Sequence, residues 1–228
     1  MSAGTACRLL GDVKWPRVRL PAILLCSVLI VLGSGPQARA QDPPPAIGPV
    51  VVDLRGILPK FTEDLALAQS RGLASSDLPG RGIGIEAGAH VYPLGLGVAT
   101  VGLGGQITLV RSGSAAKEPS PAVTARFTAL ASQISLNFGT GDGWSYISGG
   151  FGASRWSIVP EGGEPRVADE AWVRTFDYGG GARWFRKPHV AFHIDVRVHA
   201  IDPGPVQVQL RRSPRTNLLI IGAGISIK

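Results

Sequence analysis

Between Val190 and Ile201 the chain alternates strictly. Val190, Phe192, Ile194, Val196, Val198 and Ala200 fall on one parity, and Ala191, His193, Asp195, Arg197 and His199 on the other. Successive side chains of an extended strand point to opposite sides, so this stretch predicts a strand with one apolar and one largely charged face. The same period predicts strands over 50–58, 81–92, 98–111, 122–138, 144–159, 171–185, 189–201 and 215–227, eight in all. In 81–92, Ile83, Ile85, Ala87, Ala89 and Val91 oppose Glu86, Gly88, His90 and Tyr92. In the last strand Leu219, Ile221, Ala223, Ile225 and Ile227 oppose Ile220, Gly222, Gly224 and Ser226. Within 122–138 the phase slips, because Ala125, Phe127 and Ala129 share one parity while Ile134, Leu136 and Phe138 share the other. A β-bulge near Ala131 to Gln133 would reconcile them.

The connections alternate in length. Pro93–Gly97, Gly139–Gly143 and Arg186–Pro188 are short and hold Gly or Pro, whereas 59–80, 112–121, 160–170 and 202–214 are long. An even number of antiparallel strands with both termini on the short-turn side produces this order, as in outer-membrane barrels. Trp144 and Trp156 are twelve residues apart, as are Trp172 and Trp184. Twelve residues at ~3.3 Å rise and ~45° tilt project to roughly 28 Å, close to the ~25 Å apolar band of a barrel wall. Two interfacial girdles are therefore expected, with Tyr92, Phe138, Trp144, Trp184 and Phe185 beside the short turns and Trp156 and Trp172 toward the long loops. Between Trp144 and Trp156 the same-parity residues Tyr146, Ser148, Gly150, Gly152 and Ser154 are less apolar than the opposite face with Ile147 and Phe151, which calls for a second bulge.

These patterns predict an all-β fold, an eight-stranded antiparallel transmembrane up-and-down β-barrel over residues 50–228. Its charged face turns inward and brings together Asp53, Arg55, Glu86, His90, Arg126, Asp177, Arg183, His193, Asp195 and Arg197. A barrel of this size is only wide enough for its own side chains, so the reading is a plug rather than a porin-like pipe. Charges in such a lumen must pair, since an unpaired one costs several kcal/mol. A slow proton or ion path through the network is the functional alternative.

Ahead of the strands, Arg17 and Arg19 precede an apolar run from Leu20 to Leu32, and Ala38-Arg39-Ala40 follows a Gly/Pro break. Residues 1–40 read as a secretory signal peptide cleaved after Ala40. The run is short of the ~20 residues a spanning helix needs. Residues 41–49 form a proline-rich spacer. The formal charge of +7 loses its apparent meaning once apportioned, because five cations and one anion lie in the first forty residues and residues 41–228 carry only +3. Nucleic acid is thereby disfavoured as a partner. Cys7 and Cys26 both lie in the leader, so the mature chain holds no disulfide, thiolate metal site or cysteine nucleophile.

The loop rhythm and the stretches 88–93 (GAHVYP), 135–139 (SLNFG) and 179–185 (GGGARWF) make residues 50–228 resemble the bacterial outer-membrane protein β-barrel domain family, akin to small OmpA/OmpX-type barrels. The resemblance implies residence in the cell outer membrane with both termini periplasmic. It also implies contact with outer-membrane lipids and lipopolysaccharide, insertion by the barrel-assembly machinery, and a monomer. One departure is the end, Ile225-Ser226-Ile227-Lys228, where such barrels commonly finish on an aromatic residue.

The chemistry on offer is limited. Among the histidines His90, His189, His193 and His199, His193 with Asp195 is the strongest dyad, but no serine shares that strand. His193 and His199 are too far apart along a strand to clamp one metal, so neither metal nor cofactor is expected. The glycines of 80–84 and 179–181 lie inside strands instead of opening helices, which removes the dinucleotide reading. The long loops remain: Phe61–Arg71 could form a short helix starting at Thr62 and packing over the lumen, and Arg211, Arg212 and Arg215 form a basic cluster suited to lipopolysaccharide phosphates or solvent. The expected role is structural or surface interaction without catalysis. Two rivals stay open, a lipid-modifying barrel enzyme and a soluble periplasmic lipocalin-like barrel of reverse polarity.

Overall fold

The structure, a computed structural model, describes residues 47–206 and 211–228. The leader and residues 41–46 of the spacer lie outside the described residues. The alternating stretches all become strands: β1 (Val50–Lys60), β2 (Gly82–Gly95), β3 (Thr100–Ser114), β4 (Val123–Thr140), β5 (Gly143–Pro160), β6 (Val173–Lys187), β7 (Val190–Ile201) and β8 (Thr216–Ile227). Each pairs with its sequence neighbour and β8 returns to β1, which closes the barrel in the order of the chain. The closing seam runs antiparallel from Val52 opposite Ile227 to Lys60 opposite Leu219. Closure pairs every strand on both edges, so no sheet edge is left open.

The turns after β2, β4 and β6 are short and the other connections long, as the spacing predicts. Two irregularities occur, between Val91 and Leu94 and between Phe185 and Lys187, both beside short turns. Neither expected bulge exists. β4 keeps unbroken register with β3 and β5, and β5 with β4 and β6. The phase slip in β4 is instead a change of polarity on fixed faces: Val123, Ala125, Phe127 and Ala129 are buried inside the upper barrel, and on the same face Gln133, Ser135 and Asn137 are buried lower down.

Long side chains cover the outer wall with hydrocarbon. Leu54, Ile85, Ile134, Phe151, Phe176, Val196 and Ile225 all point outward and are exposed, Phe151 by 62%. A continuous apolar surface of this extent marks a lipid or protein interface.

The interior has three strata. At the long-loop end lies an apolar cluster that includes Ile57, Phe61, Leu67, Phe127, Trp156 and Leu218. At the short-turn end a smaller one joins Ile47, Val51, Trp144, Phe185 and Ala191. Polar and charged side chains fill the middle. Helix α1 (Leu65–Arg71) drops Leu67 and Ala68 into the upper cluster. Its N-cap is Asp64, whose carboxylate accepts from the backbone N–H of Ala66 at 2.7 Å and of Leu67 at 3.3 Å. The helix therefore packs over the lumen as expected, but its N-cap is two residues beyond Thr62, because the Asp64 carboxylate meets the free N–H groups while the Thr62 hydroxyl donates to the Asn217 carbonyl. Gly72, at φ 72°, ends it.

Candidate functional site

Nine of the ten residues expected in the lumen are there: Asp53, Arg55, Glu86, His90, Asp177, Arg183, His193, Asp195 and Arg197 are all buried inside the barrel. They form one connected network. Arg55 meets Glu86 at 2.7 Å and Asp195 at 3.1 Å, and Arg197 bridges Asp195 at 3.2 Å and Asp177 at 2.6 Å. Gln133 donates to Asp177 at 2.7 Å and its amide oxygen lies 3.1 Å from His90 Nε2. On a second arm Arg183 holds both oxygens of Asp53, at 3.1 and 2.7 Å, in the bidentate form that makes guanidinium–carboxylate pairs strong. Tyr146 joins the arms, since its hydroxyl donates to Asp195 and also meets His193 Nε2, while Arg183 sits 4.4 Å over its ring.

Tyr146, Gln133, Asn137, Ser148 and Ser226 belong to this network and were not singled out from the sequence. The signal available was parity, because each shares the inward register of a neighbouring charged residue. Room for the large side chains comes from glycine on the neighbouring strand: a Cβ on Gly181, the register partner of Tyr146, would lie 2.7 Å from the Tyr146 hydroxyl. The space enclosed by Arg55, His90, Gln133, Tyr146, Arg183 and Arg197 leaves essentially 0 Å³ for a water molecule. With apolar strata above and below, the network is sealed from both mouths.

A serine, a histidine and an aspartate do meet inside. Ser226 Oγ lies 3.3 Å from His193 Nδ1, and Asp53 Oδ1 lies 3.4 Å from the same nitrogen. The serine hydroxyl, however, donates to Asp53, not to the histidine. A nucleophile needs its proton taken by the base, and a substrate needs a path. Ser226 and His193 are both 0% exposed.

Arg126 is the tenth residue, and the structure places it on the outer wall. Its neighbours on β4, Ala125 and Phe127, fill the upper lumen, so the parity that carries Leu130 and Ile134 outward lower down carries Arg126 outward too. Four expected girdle residues move the other way. Tyr92 packs against the lower apolar stratum and Phe185 is buried in it, while Trp144 and Trp156 are buried in the lower and upper strata. They share their parity with the buried Tyr146 and Ser154, so the glycine- and serine-rich face of β5 is the inner face and no bulge is required. Phe138, Trp172 and Trp184 do point outward.

The loops form a latched cap. Arg71 of α1 is ion-paired with Asp169 of α2 (Val167–Glu170), and Arg166 donates to the Ser70 carbonyl. Burial pushes the Asp169 carboxyl up and the Arg71 guanidinium down, each against the pull of its partner. Thr62 donates to the Asn217 carbonyl at 2.9 Å, and Arg211 to Gln69 at 2.9 Å. Arg212 binds carbonyls of its own loop and Arg215 pairs with Asp202 at 2.9 Å, so the expected basic cluster is spent largely on loop structure.

Closure, strand number and strand order define an all-β, eight-stranded antiparallel barrel of the architecture seen in solved outer-membrane barrels. The chain is similar to the crystal structure of Neisserial surface protein A, with a TM-score of 0.55 and 13% identity over 79% of this chain and 97% of that one. Ail, the attachment invasion locus protein of Yersinia pestis, in complex with the heparin analogue sucrose octasulfate, gives a TM-score of 0.41, 14% identity and coverage of 78% and 96%. The outer membrane protein OprG from Pseudomonas aeruginosa gives 0.43, 9%, and coverage of 78% and 94%. No family model matches the chain, and no curated protein does.

Proposed function

We propose that the protein is an outer-membrane β-barrel with a structural or surface-interaction role and no catalysis, exported through a leader spanning 1–40. One observation carries this reading: a filled, ion-paired lumen inside a wall whose outward side chains are apolar from Leu54 through Phe151 to Ile225. A soluble lipocalin-like barrel needs the opposite polarity, an apolar pocket within and a polar surface without. The sealed geometry of Ser226, His193 and Asp53 counts against the enzyme reading, and the filled lumen against a diffusion pore. Phe138, Trp172 and Trp184 serve as interfacial aromatics. Outer-membrane lipids, lipopolysaccharide and the barrel-assembly machinery are the expected partners of a monomer.

Envelope fractionation followed by electrophoresis with and without boiling tests the reading. We expect the protein in the outer-membrane fraction, with a mobility that changes on boiling as the closed sheet opens. Recovery in the soluble periplasm with no mobility change overturns it in favour of the lipocalin-like barrel.

A further inference from the structure

The arginine that left the lumen has company. Arg111 on β3 stands directly opposite Arg126 on β4, and both are exposed on the outer wall. Like charges facing each other across a ladder destabilise a sheet, and neither lies within ion-pair distance of a carboxylate among the described residues. Arg155 on β5, by contrast, lies 5.5 Å from the centre of the Trp172 ring.

The pair sits at the meeting point of two surface grooves. Above it, toward the long loops, an open groove of about 500 Å³ is lined by Thr124, Ser157 and Glu161 together with both arginines. Below it, a groove of about 390 Å³ runs along Ile83, Ile85 and Leu109 and again includes both arginines. On the β2–β3 side the outer face changes from cationic to aliphatic one outward step below the pair, at Leu109, whereas on the β5 side Thr128 faces Arg155. Two guanidiniums present paired donors suited to phosphate oxygens, and an aliphatic channel leading away from them suits an acyl chain. Glu161 at the upper edge disfavours an anion seated further out.

We propose that Arg111 and Arg126 form a binding site for a phosphorylated lipid of the surrounding leaflet, lipopolysaccharide in the outer membrane, with its phosphate across the two guanidiniums and an acyl chain along Ile83, Ile85 and Leu109. The site rests on the membrane-barrel reading above. The lipid anion also relieves the repulsion between the paired cations.

The test uses the refolded barrel in phosphatidylcholine nanodiscs and a fluorescent bisphosphorylated lipid A as probe. Arg111→Gln with Arg126→Gln is expected to weaken probe binding by about tenfold or more, as loss of two charge-assisted contacts implies, and Leu109→Asn to weaken it by a smaller factor. Arg215→Gln, in the last loop, leaves binding unchanged. Equal affinity of the double variant and the parent overturns the site, as does displacement of the probe by inorganic phosphate at concentrations matching those of unlabelled lipid A. Each variant is first checked for the boiling-dependent mobility change, so that a protein that never forms a membrane barrel sinks the underlying reading, and one that does but binds equally sinks only the site.

Discussion

The two halves of β4 carry opposite polarities on the same two faces. From Val123 to Ala129 the strand turns Val123, Ala125 and Phe127 inward and Thr124, Arg126 and Thr128 outward. From Gln133 to Phe138 it turns Gln133, Ser135 and Asn137 inward and Ile134, Leu136 and Phe138 outward. Nothing in the backbone separates them, since the register with both neighbours is continuous. What differs is the medium each face meets. The upper inner face lies under the helical cap and is packed like a soluble core, while the lower inner face lines a charged stratum. The outer face is aliphatic where hydrocarbon would cover it and polar or cationic above. Polarity in this wall is a property of height as well as of side.

Three measurements press on that contrast, each read by urea unfolding in phospholipid vesicles. The largest effect is expected in the charged stratum: Arg197→Ala should destabilise by about 3–5 kcal/mol, because it leaves the buried Asp177 without its ion-pair partner, and Asp195→Ala by less, because Arg55 keeps Glu86 and Arg197 keeps Asp177. The double variant should cost less than the sum of the two. Unchanged stability in all three would mean that these side chains are not buried partners. Next comes height on the outer face. Ile134→Arg should cost about 2–4 kcal/mol and Thr128→Arg about 0–1 kcal/mol, following the depth dependence of cations on a lipid-facing wall. Equal costs would remove the membrane boundary from β4. The smallest effect has the opposite sign. His199 is fully buried against Phe127, with ring centroids 5.6 Å apart, and neither ring nitrogen has a hydrogen-bond partner among the described residues. Replacing it with Leu should stabilise the barrel by about 1–2 kcal/mol, and a loss would show that the imidazole is satisfied in the membrane-embedded protein.

Strand spans, connection lengths and the inward set on β7 were legible because period-two alternation and Gly/Pro turns are local signals. His193, Asp195 and Arg197 share one parity with no competing reading. The upper barrel was misread wherever each face was assumed to keep one polarity along its whole length. Arg126 was placed inside for its charge, although its parity neighbours Thr124 and Thr128 mark an outer face above the lipid. Trp144 and Trp156 were placed outside for their spacing, although Ser148, Gly150 and Ser154 between them mark an inner one. Tyr146 and Ser226 went unnoticed because their importance lies in what they touch across the lumen, which no single strand records.

The position of Asp53 bears on how such a wall is put together. It stands on the first strand, while its partners Arg183, His193 and Ser226 stand on the last three. Arg55 likewise needs Asp195 from β7. A sheet lacking its final hairpin would leave Asp53 without His193 and Ser226 and Arg55 with Glu86 alone, so the network is complete only when β7 and β8 are in place. The lumen network thus ties the first strand to the last three across the interior, so its ion pairs form together with the closing seam.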